Sequence, residues 1–289
     1  ALGVGLAGCS NNEDELLSTG SFPEDHVIRI ITEVNEPLSR AGYDVTNLER
    51  FGLMIRNSEN AAYNYHKQMV SSGNAWSTSD GQQMLWDAER TPVTMIAYAP
   101  YMSEAAPDAS LAVNALTNQT TEENVKSSDF LLMKATVDPE QDLTADGKLK
   151  ISLSHAMSKL LIKITVNGTT DAAMNKLGDM SINGAVVNGI CDLSATVPIV
   201  VPAPDAVVAT VAPYKGTESC ECILPPQKIA EGFSVNFSYD GKLYIWTAKE
   251  AIELEKGVEH TLTLNVNTTV RLAAKMARNW ATGQLIDRN

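Results

Sequence analysis

Residues 148–168 read KLKISLSHAMSKLLIKITVNG, and this stretch decides the fold class. Leu149, Ile151 and Leu153 alternate with Lys150, Ser152 and Ser154. After a short break, Leu160, Ile162, Ile164 and Val166 alternate with Leu161, Lys163 and Thr165. A period of two sends successive side chains to opposite faces of a pleated strand. One face is apolar and the other mostly polar, so each strand covers a core on one side. The spacing predicts the last strand of one β-domain running almost directly into the first strand of another.

The same pattern extends outward in both directions. Upstream, residues 26–34 predict a buried strand, made apolar by Val27, Ile28, Ile30 and Ile31 and ended by Asn35-Glu36-Pro37. Residues 38–42 form an exposed link of small residues. Further strands are expected at 51–55, 62–70, 83–86, 91–99 and 130–137. The intervening 103–128 has little periodicity and suggests one short helix around 109–116. Downstream, a helical turn is expected at 171–177, stopped by Gly178. Asn183-Gly184, Asn188-Gly189 and Asp240-Gly241 punctuate hairpins, and 233–237 with 243–247 form one of them. The Val/Pro-rich 198–213 suits an edge or crossover. Residues 259–266 are the last clear strand; in the tail from 270 to 289, Leu272, Met276 and Trp280 suit a helical face while the basic residues suit solvent, and the pattern decides neither. Many short strands with few helices predict an all-β protein of sandwiches or barrels.

A chain of 289 residues has length for two domains with separate cores. We place these at 26–155 and 156–289, preceded by residues 1–8 as a signal-peptide remnant and 9–25 as a tether. There are 35 acidic and 22 basic residues, a net charge of −13. That balance argues against a nucleic-acid partner, which needs a basic patch, and against holding an anionic membrane by charge.

Cys9 ends Leu6-Ala7-Gly8-Cys9 after an apolar run too short to span a bilayer. This resembles a bacterial lipobox, in which small residues precede a cysteine that takes a diacylglycerol. Ser10 is not the Asp of an inner-membrane retention signal, and Asn11-Asn12-Glu13-Asp14-Glu15 forms a short acidic tether. Cys220 and Cys222 share a strand face, so Cys191 could bridge only one of them. Buried free thiols are the simpler expectation.

No catalytic constellation emerges. His26, His66, His155 and His260 have no metal-ligand spacing. Nucleophile-elbow, S-x-x-K, H-E-x-x-H and phosphate-loop patterns are missing from the sequence. Residues 142–148 (DLTADGK) read as a turn rather than a calcium loop. No metal or cofactor is expected. Trp76, Trp86 and Tyr63, Tyr65, Tyr98 and Tyr101 raise the alternative of a monomeric glycan-binding lipoprotein, against packing within strands.

Several features in order resemble the fimbrillin family, subunits of type V pili of Bacteroidales-type bacteria. They are the lipobox Cys9, the early strand followed by Arg40, and VTMIAYAP at 93–100. SDFLL at 128–132, HAMSKL at 155–160, LPPQ at 224–227, and 257–264 followed by WATG at 280–283 complete the set. The resemblance implies two tandem transthyretin-like β-sandwich domains and a non-enzymatic lipoprotein carried to the outer membrane. It also implies a structural pilus subunit, polymerised by proteolysis-triggered strand exchange and serving adhesion. In this sequence the displaced strand would carry Val27, Ile28, Ile30 and Ile31. The arginine-specific cut would fall between Arg40 and Ala41, with Arg50 as the runner-up. A donor strand would come from 259–289. The implied partners are other pilus subunits, the outer membrane through lipid on Cys9, the processing protease and a host or bacterial surface ligand.

Overall fold

The computed structural model describes residues 21–35, 42–44, 46–73, 75–168 and 174–266, and the backbone of 272–278. The first half contains β1 (Arg29–Asn35), β2 (Arg50–Asn57), β3 (Tyr65–Ser72), β4 (Ala75–Thr78) and β5 (Val93–Ala99). It continues through β6 (Ser110–Asn114), the short helix α1 (Glu122–Ser127), β7 (Leu131–Val137) and β8 (Lys148–His155). All of these strands except β6 form one sheet in the order β1-β8-β7-β5-β2-β3-β4. The β1–β8 pair is parallel, and the other pairs are antiparallel. The sheet curls until its ends approach: the indole Nε1–H of Trp76 on β4 donates to Thr32 Oγ1 on β1 at 3.0 Å.

The period-two pattern of the central stretch holds. Leu149, Ile151 and Leu153 of β8 are buried in the core of this first sheet. Ala156 and Met157 then link β8 to β9 (Ser158–Val166), which belongs to a different sheet and buries Leu160, Ile162 and Ile164 in a second core. The remaining strands are β10 (Leu177–Val186), β11 (Asn188–Asp192), β12 (Val200–Pro202), β13 (Val208–Val211), β14 (Tyr214–Lys215) and β15 (Cys220–Leu224). They are followed by β16 (Gln227–Ile229), β17 (Ser234–Tyr239), β18 (Lys242–Thr247), β19 (Ile252–Leu254), β20 (Glu259–Val266) and β21 (Leu272–Arg278). Their sheets run β14-β15-β9-β20-β21, β13-β10-β17-β18, β12-β11-β6 and β16-β19.

Strands β2 and β5 are buried on both faces. Phe51, Leu53, Met95 and Ala97 face the first core, while Met54, Ile96 and Tyr98 face the second. That explains the unbroken buried run at 95–99, because a strand covered on both sides needs no polar face. Gly52 lies opposite Tyr98, and a Cβ there would meet the Tyr98 ring at 2.4 Å. The glycine leaves room for that ring, whose hydroxyl donates to the Met102 carbonyl at 2.8 Å.

Four sequence expectations are corrected. Residues 109–116 do not form a helix; Leu111 and Val113 point inward and Ser110, Ala112 and Asn114 outward along β6. β6 pairs with β11, and that pairing outweighs the helix propensity of its alanines. The helix of this segment is α1, where Thr121 caps the Asn124 N–H at 3.2 Å and Glu122 and Glu123 occupy the first turn. Residues 83–86 contribute one bridge, Val27 to Leu85, rather than a ladder. The turn near 171–177 is a 3₁₀ turn at Met174–Lys176, and Gly178 lies inside β10 instead of stopping a helix. In the tail, the backbone of 272–278 is a strand antiparallel to β20.

Burial also sets the chemistry of His260. It sits on the inner face of β20, 2% exposed, and its Nε2 accepts the Glu255 N–H at 3.0 Å. Burial pushes its imidazole down from 6.5 to about 4. The unfolded chain therefore binds this proton more readily than the folded one. The stabilising contribution is complete above 6.5 and fades as pH falls toward 4, amounting to about 3 kcal/mol. Glu259 acts in the opposite sense, since burial raises its carboxyl. Urea titrations at several pH values should show stability falling through this window, with a shallower fall in His260→Gln.

Candidate functional site

The opening strand is built from a simple alternation. Ile28, Ile30, Thr32 and Val34 point to one side, and Val27, Arg29, Ile31 and Glu33 to the other. Ile28, Ile30 and Val34 are buried, at 7%, 4% and 7% exposure. Thr32 takes the Trp76 bond. The register sets Ile30, Thr32 and Val34 beside Leu149, Ile151 and Leu153 of β8. The expectation that Val27 and Ile31 are buried with Ile28 and Ile30 is corrected: both are half-buried on the outer side. Val34, on the inner face, belongs with the buried set. Counting every second residue from Ile28 would have found it.

Among the described residues β1 is laddered to β8 alone, in parallel from Arg29↔Lys148 to Asn35↔Ser154. On its outer side Glu33 pairs with Lys150 at 2.9 Å and accepts from the Ser152 hydroxyl. These two contacts hold the Glu33 carboxyl below its ordinary range, the Ser152 bond contributing most. Before the strand, the Ile28 N–H donates to the Met84 carbonyl at 2.9 Å and the Trp86 N–H to the His26 carbonyl at 2.8 Å. Arg29 and Asp25 pair at 2.5 Å in the open, and that bond lowers the Asp25 carboxyl to about 2. β1 is thus embedded through one face and attached to the sheet along one edge.

Cys9, Arg40 and Ala41 lie outside the described residues. Arg50 is the first residue of β2, opposite Val70, and residues 52–55 beyond it are paired on both sides by β3 and β5. Arg29 and Arg56 are likewise within ladders. A protease needs an extended segment free to enter its cleft, and ladder hydrogen bonds withhold one.

The aromatics considered for glycan stacking are largely structural. Trp86 and Tyr98 are buried, at 2% and 0% exposure. Trp76 packs edge-on against Phe51 at 4.7 Å, and the Tyr65 hydroxyl donates to the Leu85 carbonyl at 3.1 Å. Tyr101 borders a cleft of ≈ 270 Å³ shared with Tyr43, Arg50, Gln68, Glu123 and Lys126. Cys191, Cys220 and Cys222 are buried free thiols. Burial pushes the first two up to about 11 and about 12, far from reactivity at neutral pH.

None of the curated proteins matches this chain. Solved structures do. A candidate cell adhesion protein of Bacteroides uniformis shares 15% identity at a TM-score of 0.66, over 89% of this chain and 98% of that one. A fimbrial protein of Bacteroides ovatus shares 16% at 0.53, over 84% of this chain and 50% of that one. The C-terminally truncated tip fimbrial protein Mfa3 of Porphyromonas gingivalis shares 10% at 0.50, over 80% and 94%. At these identities the likeness concerns the fold. The fimbrillin-like profile, in contrast, matches residues 39–279, most of the sequence. The chain therefore belongs to the fimbrillin-like family, whose members are fimbrial and cell-adhesion proteins of the cell surface rather than enzymes.

Proposed function

We propose that this chain is a fimbrial subunit of two tandem transthyretin-like sandwiches, exported as a lipoprotein on Cys9 and polymerised by strand exchange. A cut between Arg40 and Ala41 separates β1 from the rest of the first sheet. β1 then leaves, and the vacated edge of β8 with its apolar face is refilled by a strand from the next subunit. The observation that carries this reading is the attachment of β1: one laddered edge, with Ile28, Ile30 and Val34 in the core. Burial of each contributes about 1.5–3 kcal/mol, so loss of the strand creates a strong demand for a replacement. The arginines at 29, 50 and 56 lie in ladders, which favours Arg40.

The donor follows from the second half. β20 is flanked by β9 and β21 and cannot leave without breaking two ladders. Among the described residues β21 has one ladder partner, β20. β21 and the residues after it are therefore the donor in this reading.

The test is digestion of purified precursor with an arginine-specific endoprotease. A new N-terminus at Ala41 and a ladder of oligomers are expected, and Arg40→Ala should form no ladder. Clean cleavage at Arg40 that yields no ladder would overturn the reading, as would a wild-type ladder formed without any cut.

A further inference from the structure

Several other sheet edges in the described molecule are guarded. β1 meets Trp76 of β4. β12 lies among Pro198, Pro202 and Pro204, and the two-residue β14 follows Pro213. Proline and short strands are the usual means of blocking edge-to-edge pairing. β18 differs. It is six residues long (KLYIWT), contains no proline, and β17 is its ladder partner among the described residues. Leu243 and Ile245 on its outer side are 85% and 69% exposed. From inside, the strand is fixed by rings: Tyr244 stacks on Phe237 at 5.4 Å, and Trp246 meets Phe233 edge-on at 6.1 Å. Among the described residues the edge is thus apolar, unpaired and held in place by the rings beneath it.

We propose that β18 pairs antiparallel with β18 of a second copy, joining two four-stranded sheets into one. The strand is its own complement. Directly opposed residues of an antiparallel pair share a face, so the two-fold axis must pass at Tyr244 for Leu243 to oppose Ile245 of the second copy. The same register sets Lys242 opposite Trp246 of the second copy, where a cation meets an aromatic face. Charge selects the place as well. In a chain of net charge −13, residues 240–250 carry Asp240 and Glu250 against Lys242 and Lys249, a balance of zero. Two acidic molecules repel least where each is locally neutral. The pairing does not depend on cleavage at Arg40; within a fimbria it would tie subunits side by side.

Uncut protein is the material for the test. Sedimentation over a concentration series should show a reversible monomer–dimer equilibrium. Leu243→Lys with Ile245→Lys should shift the midpoint to at least tenfold higher concentration with unchanged unfolding, since both side chains face water. Val208→Lys, an equally exposed valine on the opposite edge of the same sheet, should leave the midpoint in place. Tyr244→Cys should give an oxidised covalent dimer faster than Lys249→Cys. A wild-type monomer at all concentrations, polydisperse aggregate in place of a dimer, or a dimer indifferent to the double lysine variant would each overturn the proposal. So would a monomer that pairs with a different fimbrial subunit through this edge.

Discussion

Lys159→Met is expected to destabilise the protein by about 3–5 kcal/mol, as loss of one member of a buried ionic group does. Lys159 is 1% exposed. Its ammonium lies 2.5 Å from Glu221 and 3.7 Å from Glu259. The three come from adjacent strands, β15, β9 and β20, with Glu259 directly opposite Lys159 and Glu221 opposite Leu161. Methionine keeps the volume of the side chain and removes the charge. Two carboxyls then remain in a site where burial already raises Glu259. Protonation would relieve them, so the deficit should shrink as pH falls. Lys159→Met with Glu221→Gln should recover part of the loss, because one stranded charge goes with the cation. Urea unfolding at two pH values separates this from a simple packing defect, which would not depend on pH. A cost below about 1 kcal/mol at neutral pH would mean that water already reaches the group.

Ile30→Ala and Ile28→Ala should each cost about 2–5 kcal/mol, as buried aliphatic truncations do. Ile31→Ala should cost less than about 1 kcal/mol, in the range of substitutions away from the core. The contrast isolates the inner face of β1, since the substitution is the same and the positions are neighbours. A second readout connects stability to assembly. If β1 is the displaced strand, loosening it should speed oligomer formation after cleavage, because departure of the strand precedes refilling. Unfolding midpoints give the first quantity and the rate of ladder formation gives the second. Equal costs for Ile30 and Ile31 would show that β1 does not sit face-down in the core. A slower ladder in Ile30→Ala would separate the strand's structural role from the assembly role proposed for it.

Much of the β-strand content was readable from local pattern. β8 and β9 follow the alternation at 149–153 and 160–166, and the β17–β18 hairpin follows its Asp240-Gly241 turn. The period-two rule works because a strand's two faces are fixed by backbone geometry alone. It misleads where apolar residues are taken without their parity, which groups Ile31 with Ile30 and omits Val34. It also missed β6, whose two inward side chains are too few to outweigh an alanine-rich context until β11 is beside them. The burial of Lys159 had no local signal. A lysine on the polar side of an alternating strand looks solvated, and only the flanking strands β15 and β20 close over it.

By itself the sequence determined an all-β chain, the turn from one apolar strand to the next at 155–158, and the run of motifs that marks a fimbrillin. Those are properties of short stretches, governed by side-chain alternation and turn residues. Tertiary structure decided which strands are neighbours: β1 beside β8, β6 beside β11, β20 between β9 and β21, and β18 with one edge unpaired among the described residues. Pairing over such separations costs chain entropy that only the assembled cores repay, so no local segment carries the information on its own.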